Sequence, residues 1–159
     1  MAENDFKKSL KKISTPWKIA MERAERLAKY KLLSGIILDP ACGSATQLGA
    51  YSLATKMPGI GIEIDEKRAK FARDNLASML SEDSDLLSHS TVFCSDGLKI
   101  PPEFTKNNHT ISLLHIDPAI PNNMQEHTLG EMKPNPIEVI NNWKEYLGED
   151  DTNLAIIID

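Results

Sequence analysis

Short continuous apolar runs alternate along this chain with stretches in which apolar residues return every three or four positions. After Thr15-Pro16, which reads as an N-cap followed by a first helical position, Trp17, Ala20, Met21, Ala24, Leu27 and Ala28 recur at helical spacing. The pattern predicts a helix ending near Leu33, before Gly35. Ile36-Ile37-Leu38 is a run closed by Asp39, as in a strand buried on both faces. Pro40 to Ala45 reads as a turn, and a helix then carries Leu48, Ala50, Leu53, Ala54 and Met57 until Pro58-Gly59 stops it. Ile60 to Ile64 is a second strand, and Asp65 caps a helix with Ala69, Ala72, Leu76 and Met79 inward. Ser81 to Ser90 reads as a polar loop or frayed helix end. Thr91 to Cys94 is a third strand and Ile111 to Ile116 a fourth, ending at Asp117. Pro118 to Lys133 is a long loop. Pro136 to Leu147 is a helix with Ile137, Ile140 and Trp143 inward, and Leu154 to Ile158 is a fifth strand.

Strands separated by helices predict an α/β fold, a parallel sheet with helices on both faces. Right-handed crossovers restrict it to a doubly wound topology, expected order 3-2-1-4-5, with the N-terminal helix preceding the first strand. Such sheets bind ligands at the carboxyl ends of their strands, near the switch point. Four polar positions fall there: Asp39 with its turn, Glu63, Asp96 and Asp117.

Composition adds the class. The chain has 159 residues, 41% of them hydrophobic, enough for one domain with a real core. The formal net charge of -5 excludes a uniformly cationic nucleic-acid binder. The charge is uneven, however. Residues 1–34 hold nine Lys/Arg against four Asp/Glu, while the remainder holds nine against 19. The division expected is a basic arm, 1–14, on a core, 15–159. Such an arm suits an anionic partner, and equally a solvated amphipathic helix. Cys42 and Cys94 are too few for a disulfide framework and read as reduced thiols of a cytoplasmic protein. The four histidines show no metal-ligand spacing, and no apolar run approaches the ~20 residues of a membrane span. His115, inside an apolar strand, reads as a satisfied core residue.

Asp39-Pro40-Ala41-Cys42-Gly43-Ser44-Ala45 carries the most information. It joins a buried strand to a helix through small residues, which let a ligand approach the backbone and the free N–H groups of a helix N-terminus. The string resembles the DPACGSG motif of class I, Rossmann-like S-adenosylmethionine-dependent methyltransferases, especially those that methylate exocyclic amino groups of nucleic-acid bases. Ala45 replaces the motif's last glycine, and its methyl group is expected to narrow the approach to the cofactor. Glu63 ends the second strand 20 residues after Gly43, where an acidic side chain can accept from both ribose hydroxyls. Gly61-Ile62-Glu63-Ile64-Asp65, followed by an Ala-rich helix and Asn75, is similar to the family's second motif. That resemblance implies that Asp39, Ala41, Cys42, Gly43 and Ser44 line the cofactor, that Glu63 binds the ribose and that Ile64 flanks the adenine. It also implies that Asp96, with Gly97, accepts from the adenine amino group, with Leu98 completing the pocket.

Asp117-Pro118-Ala119-Ile120 resembles the (D/N)PP(Y/F) motif of amino-group methyltransferases, in which the acidic or amide side chain accepts from the target amine. Asp117 and Pro118 are thus the implied catalytic pair, with Asp117 also at the cofactor. Ala119 and Ile120 depart from the pattern and remove the aromatic that stacks on an extruded base. Pro121-Asn122-Asn123-Met124 is polar enough to line a substrate pocket.

The function implied is methyl transfer from S-adenosylmethionine to a nucleic acid, RNA ahead of DNA. Two alternatives stand beside it. One is a non-catalytic cofactor- or partner-binding module, suggested by Ala45, Ala119 and Ile120. The other is a nicotinamide-dependent oxidoreductase, which Glu63 would suit but whose G-x-G-x-x-G spacing Ala41, Ala45 and Thr46 interrupt. The resemblance also implies a seven-stranded sheet, whereas the chain ends with its fifth strand at Asp159. The expectation is an exposed apolar edge covered by further sequence, an oligomer or a partner.

Overall fold

Ile36–Asp39 forms β1 at the centre of a five-stranded sheet in the computed structural model, which describes residues 14–30, 34–107, 109–118, 128, 131–148 and 154–159. Around it, in chain order, lie α1 (Trp17–Ala28), α2 (Thr46–Thr55), β2 (Gly59–Glu63), α3 (Glu66–Met79), α4 (Ser84–His89), β3 (Thr91–Cys94), α5 (Pro102–Thr105), β4 (Ile111–Ile116), α6 (Pro136–Trp143) with a 3₁₀ turn over Lys144–Tyr146, and β5 (Ala155–Ile158). The strands run in the order β3-β2-β1-β4-β5, all parallel, with Leu38 paired to Ile60 on one side and Leu114 on the other. The expected doubly wound α/β fold is the one observed. Its switch point lies between β1 and β4, because the chain moves outward from β1 through β2 and β3 before crossing back.

Alternation along the strands divides the core in two. Ile37, Val92 and Leu113 pack with Ala20, Ala24 and Leu27 of α1, Leu48 and Tyr51 of α2, and Ala69, Ala72 and Leu76 of α3. Ile36, Leu38, Ile60, Ile62, Leu114 and Ile116 face the other way, against Phe104, Val139 and Trp143. Both faces of the central strands are covered, which is why they read as continuous apolar runs.

Several local expectations are corrected. The first helix begins at Trp17 with Pro16 in the cap position and no side-chain cap, so Thr15 does not cap it. Trp17 lies on the inward stripe yet is 45% exposed, because this first turn stands at the mouth of a cleft that Ser14 and Thr15 line. The helix ends at Ala28 rather than near Leu33, because the Lys29 and Tyr30 amides turn back to the Arg26 and Leu27 carbonyls and close it in a tight turn. The polar stretch 81–90 contains a helix, α4, because Asp83 caps it through the Leu86 amide and Leu86 is buried beneath it. A short helix, α5, was not foreseen either. In α6 the buried stripe is Pro136, Val139 and Trp143, and Ile137 is exposed. The large Trp143 ring sets this rotation by packing edge-on against Phe104. β2 ends one residue early, leaving Ile64 72% exposed. On β5, Ile156 and Ile158 are each 41% exposed, as expected of an open edge. The basic arm lies outside the described residues except for Ser14. Among those described, no helix is long and apolar enough to cross a membrane.

Candidate functional site

The carboxyl ends of β1 to β4 open into one cleft of about 920 Å³. Asp39 to Ser44, Glu63, Ile64, Asp96, Gly97, Asp117 and Pro118 all line it, so every candidate site residue is brought to one place.

Asp39 is 2% exposed and begins the turn. Its Oδ1 accepts from the Ala41 amide at 3.1 Å, a side-chain turn that bends the chain immediately after the strand. The Cys42 amide then donates to the Ile62 carbonyl at 3.0 Å and the Ala45 amide to the Cys42 carbonyl at 2.7 Å. Gly43 has φ +52°, a left-handed conformation, and a Cβ there would meet nothing within 4 Å. The turn is therefore open on its cleft side. Asn75, on α3, donates to the Ser44 carbonyl at 2.7 Å and holds the turn from below. Burial pushes the Cys42 thiol well up, with Asp39 and Glu63 adding to it, so Cys42 is a neutral wall residue.

Ala45 corrects an expectation. It is absent from the cleft lining, fully buried, and part of the core cluster shared with α1 and α3. Its φ of +57° turns the methyl group into the core, away from the cleft. It does not narrow the approach to the turn.

Glu63 is 6% exposed at the end of β2. Its Oε1 accepts from the Asp65 amide at 2.9 Å, and its Oε2 takes no hydrogen bond from another described residue. Asp65 caps α3 through the Arg68 amide at 2.9 Å, as expected. Asp96 Oδ1 accepts from the Leu98 amide at 3.0 Å. Trp143 Nε1 donates to the Gly97 carbonyl at 2.9 Å and Asn142 to the Leu98 carbonyl at 2.8 Å, so α6 fixes this loop.

Asp117 stands at the cleft end of β4, followed by buried Pro118. Partial burial pushes its carboxyl up; the His115 charge opposes this, and Asp39 and Asp159 add to it. Ala119 to Met124 lie outside the described residues. The opposite wall comes from Met132, Lys133, Pro134, Asn135 and Glu138, and Thr46, Gln47, Arg68 and the buried His115 also line the cleft. Sequence reasoning missed these, since nothing in their local pattern places them beside the strand ends.

No family model matches the sequence, and no curated protein matches it. Solved structures do. A plantazolicin methyltransferase, BpumL, crystallised with S-adenosylhomocysteine and a monoazolic desmethylplantazolicin analogue, aligns over 98% of this chain and 52% of its own, with 17% identity and a TM-score of 0.60. An RNA methyltransferase from Salinibacter ruber in complex with S-adenosylhomocysteine aligns over 86% of this chain and 72% of its own, with 19% identity and a TM-score of 0.53. The putative methyltransferase yhhF of Escherichia coli aligns over 92% and 70%, with 18% identity and a TM-score of 0.51. The chain thus has the fold of these proteins and spans about half the length of the plantazolicin methyltransferase.

Proposed function

We propose that this chain is the S-adenosylmethionine-binding core of a cytoplasmic methyltransferase that acts on an exocyclic amino group of a nucleic-acid base, RNA ahead of DNA. One observation carries this reading: the Asp39 turn, Glu63, Asp96 and Asp117, read separately from sequence, line a single cleft at the switch point. The cofactor supplies an electrophilic methyl group. The cleft fits such a group on three counts. Gly43 leaves the turn open, Glu63 Oε2 is available as an acceptor, and the volume lies in the ~300–1,000 Å³ range of small-molecule sites.

In this reading the turn from Ala41 to Ser44 presents backbone to the cofactor, and Glu63 accepts from the ribose hydroxyls. Ile64, exposed and lining the same cleft as Leu98, flanks the adenine, and Asp96 with Gly97 completes its pocket. Asp117 accepts a hydrogen bond from the acceptor amine and turns the nitrogen lone pair toward the methyl donor. Pro118 holds the preceding backbone extended, which fixes the Asp117 direction. Rate acceleration comes from positioning and from exclusion of water. The choice of nucleic acid rests on the resemblance of Asp117-Pro118 to the amino-group motif and on the basic surplus of residues 1–34. Further sequence, a second copy or a partner covers the β5 edge.

Calorimetry with S-adenosylmethionine, S-adenosylhomocysteine and NAD tests the cofactor, and methyl transfer to bulk RNA and DNA tests the reaction. Binding of the first two but not NAD, with label entering RNA, is expected. Tight NAD binding would replace this reading with the oxidoreductase. Cofactor binding without transfer to either polymer would leave a binding module or another acceptor.

A further inference from the structure

His115 is the only buried basic group among the described residues, and the reading above gives it no task. Both its ring nitrogens face carboxylates. Nδ1 lies 2.9 Å from Asp39 Oδ2, on β1, and Nε2 lies 3.2 Å from Asp159 Oδ2, just beyond β5. A neutral imidazole has one N–H and one lone pair, so a lone pair would point at an anionic oxygen in either tautomer. The geometry therefore calls for the doubly protonated ring. Asp159 Oδ2 also accepts from Arg23 Nη1 of α1 at 2.6 Å. Charges thus alternate across β1, β4, β5 and α1: Asp39, His115, Asp159, Arg23. Tyr51 of α2 packs edge-on against the imidazole, ring centroids 5.3 Å apart, and Asp117 follows two residues on.

Packing alone gives no reason for this arrangement. Apolar residues of similar volume often stabilise a core as well as a buried ion pair does, without the cost of desolvating it. The two oxygens of Asp39 supply the reason. Oδ2 is held by His115, and Oδ1 is thereby aimed at the Ala41 amide, which shapes the turn.

We propose that His115 is a positioning residue, which ties Asp39 at the end of β1 to Asp159 at the end of β5 and so locks the turn that lines the cleft. Its consequence for ligand binding rests on the cofactor reading above; its effect on the turn does not. Hydrogen exchange at the Ala41 amide reads the turn, and calorimetry with S-adenosylhomocysteine reads the site. In His115→Leu, Ala41 exchange should rise about tenfold relative to the amides of β1, and S-adenosylhomocysteine should bind about tenfold more weakly. His115→Gln, which keeps one donor for Asp39, should recover part of both. Asp159→Asn should shift both in the same direction by less, and it decides the matter if His115→Leu fails to fold. Unchanged Ala41 exchange in the folded variants would overturn the proposal. Faster exchange with unchanged affinity would overturn the link to binding. A wild-type chain that does not bind S-adenosylhomocysteine would remove the cofactor reading, and Ala41 exchange would still decide whether His115 locks the turn.

Discussion

Gly97 lies directly against Pro40, so close that a Cβ on Gly97 would overlap the Pro40 carbonyl oxygen. This contact joins the loop after β3 to the turn after β1, the two sides of the proposed adenine and methionine pockets. Trp143 Nε1 also holds the Gly97 carbonyl, so the loop is tethered as well as crowded. Gly97→Ala should therefore cost about 1–3 kcal/mol of stability, the usual range for overpacking. It should also weaken S-adenosylhomocysteine binding by displacing the turn. Urea unfolding and calorimetry check the two effects, and full retention of both would mean the loop is more yielding than its contacts indicate.

Glu63 is expected to contribute to binding more than to folding. Glu63→Ala should weaken S-adenosylmethionine by about 1–3 kcal/mol, the cost of losing a charge-assisted acceptor. Glu63→Gln keeps an oxygen for the Asp65 amide and should separate the loss of charge from disturbance of the α3 start. Wild-type affinity in a folded Glu63→Ala chain would remove Glu63 from the ribose site.

Ala45→Gly sets one small stabilising effect against two small destabilising ones. Glycine relieves the left-handed backbone at φ +57°, worth roughly 1–2 kcal/mol. It also deletes a fully buried methyl group, worth about 0.8 kcal/mol, and adds freedom to the unfolded chain. Stability should change by less than about 1 kcal/mol, and cofactor affinity should not change, because the methyl group faces the core. A large gain in affinity would restore the view that Ala45 crowds the cleft.

Stability should fall as pH rises above neutrality. His115 is pushed up to about 10 by Asp39 and Asp159, against the opposing effect of its own burial, from an ordinary value of 6.5. Its contribution is complete below pH 6.5 and is lost as pH approaches 10, because the folded chain keeps a proton that the unfolded chain releases. Between pH 7 and 8.5 this should remove roughly 1–2 kcal/mol. The window lies above His109, which burial lowers, and below Cys42 and Tyr51, whose ionisation burial pushes up, Tyr51 to about 12. Chemical denaturation at both pH values should show a shallower fall in Asp159→Asn. An equal fall in both proteins would assign the pH dependence elsewhere.

The strands were legible as short apolar runs, and each of the first four ends in, or is followed within two residues by, a polar residue that lines the cleft. The turn from Asp39 to Ser44 was legible because its small residues have few other uses. What escaped depended on relations between distant segments. Ile137 and Trp143 both fit a helical stripe, and only the position of Phe104 shows which stripe is buried. Ala45 looked like a cleft residue until its backbone conformation turned it inward. His115 was rightly placed in the core, but its partners Asp39 and Asp159 are brought to it by the pairing of β4 with β1 and β5. The cleft wall from Met132 to Glu138 has no local signature.

Asp117 should serve chemistry rather than folding. It stands at the carboxyl end of a central strand, at the mouth of the cleft, with its carboxyl held above the ordinary aspartate range chiefly by partial burial. If its ionised form orients the amine or takes the proton released after methyl transfer, activity must be lost as pH falls. That loss should begin at a higher pH than an ordinary aspartate near 3.9 would give. Asp117→Asn keeps the shape and removes the charge, so stability and S-adenosylmethionine affinity should change little. Turnover should fall by about 10²-fold or more if Asp117 acts as a base, and the acid limb of the pH profile should disappear. Full activity in Asp117→Asn would reduce the role to a hydrogen-bond acceptor. Full activity in Asp117→Ala as well would make the residue structural, and the binding-module reading would then be the better account of this chain.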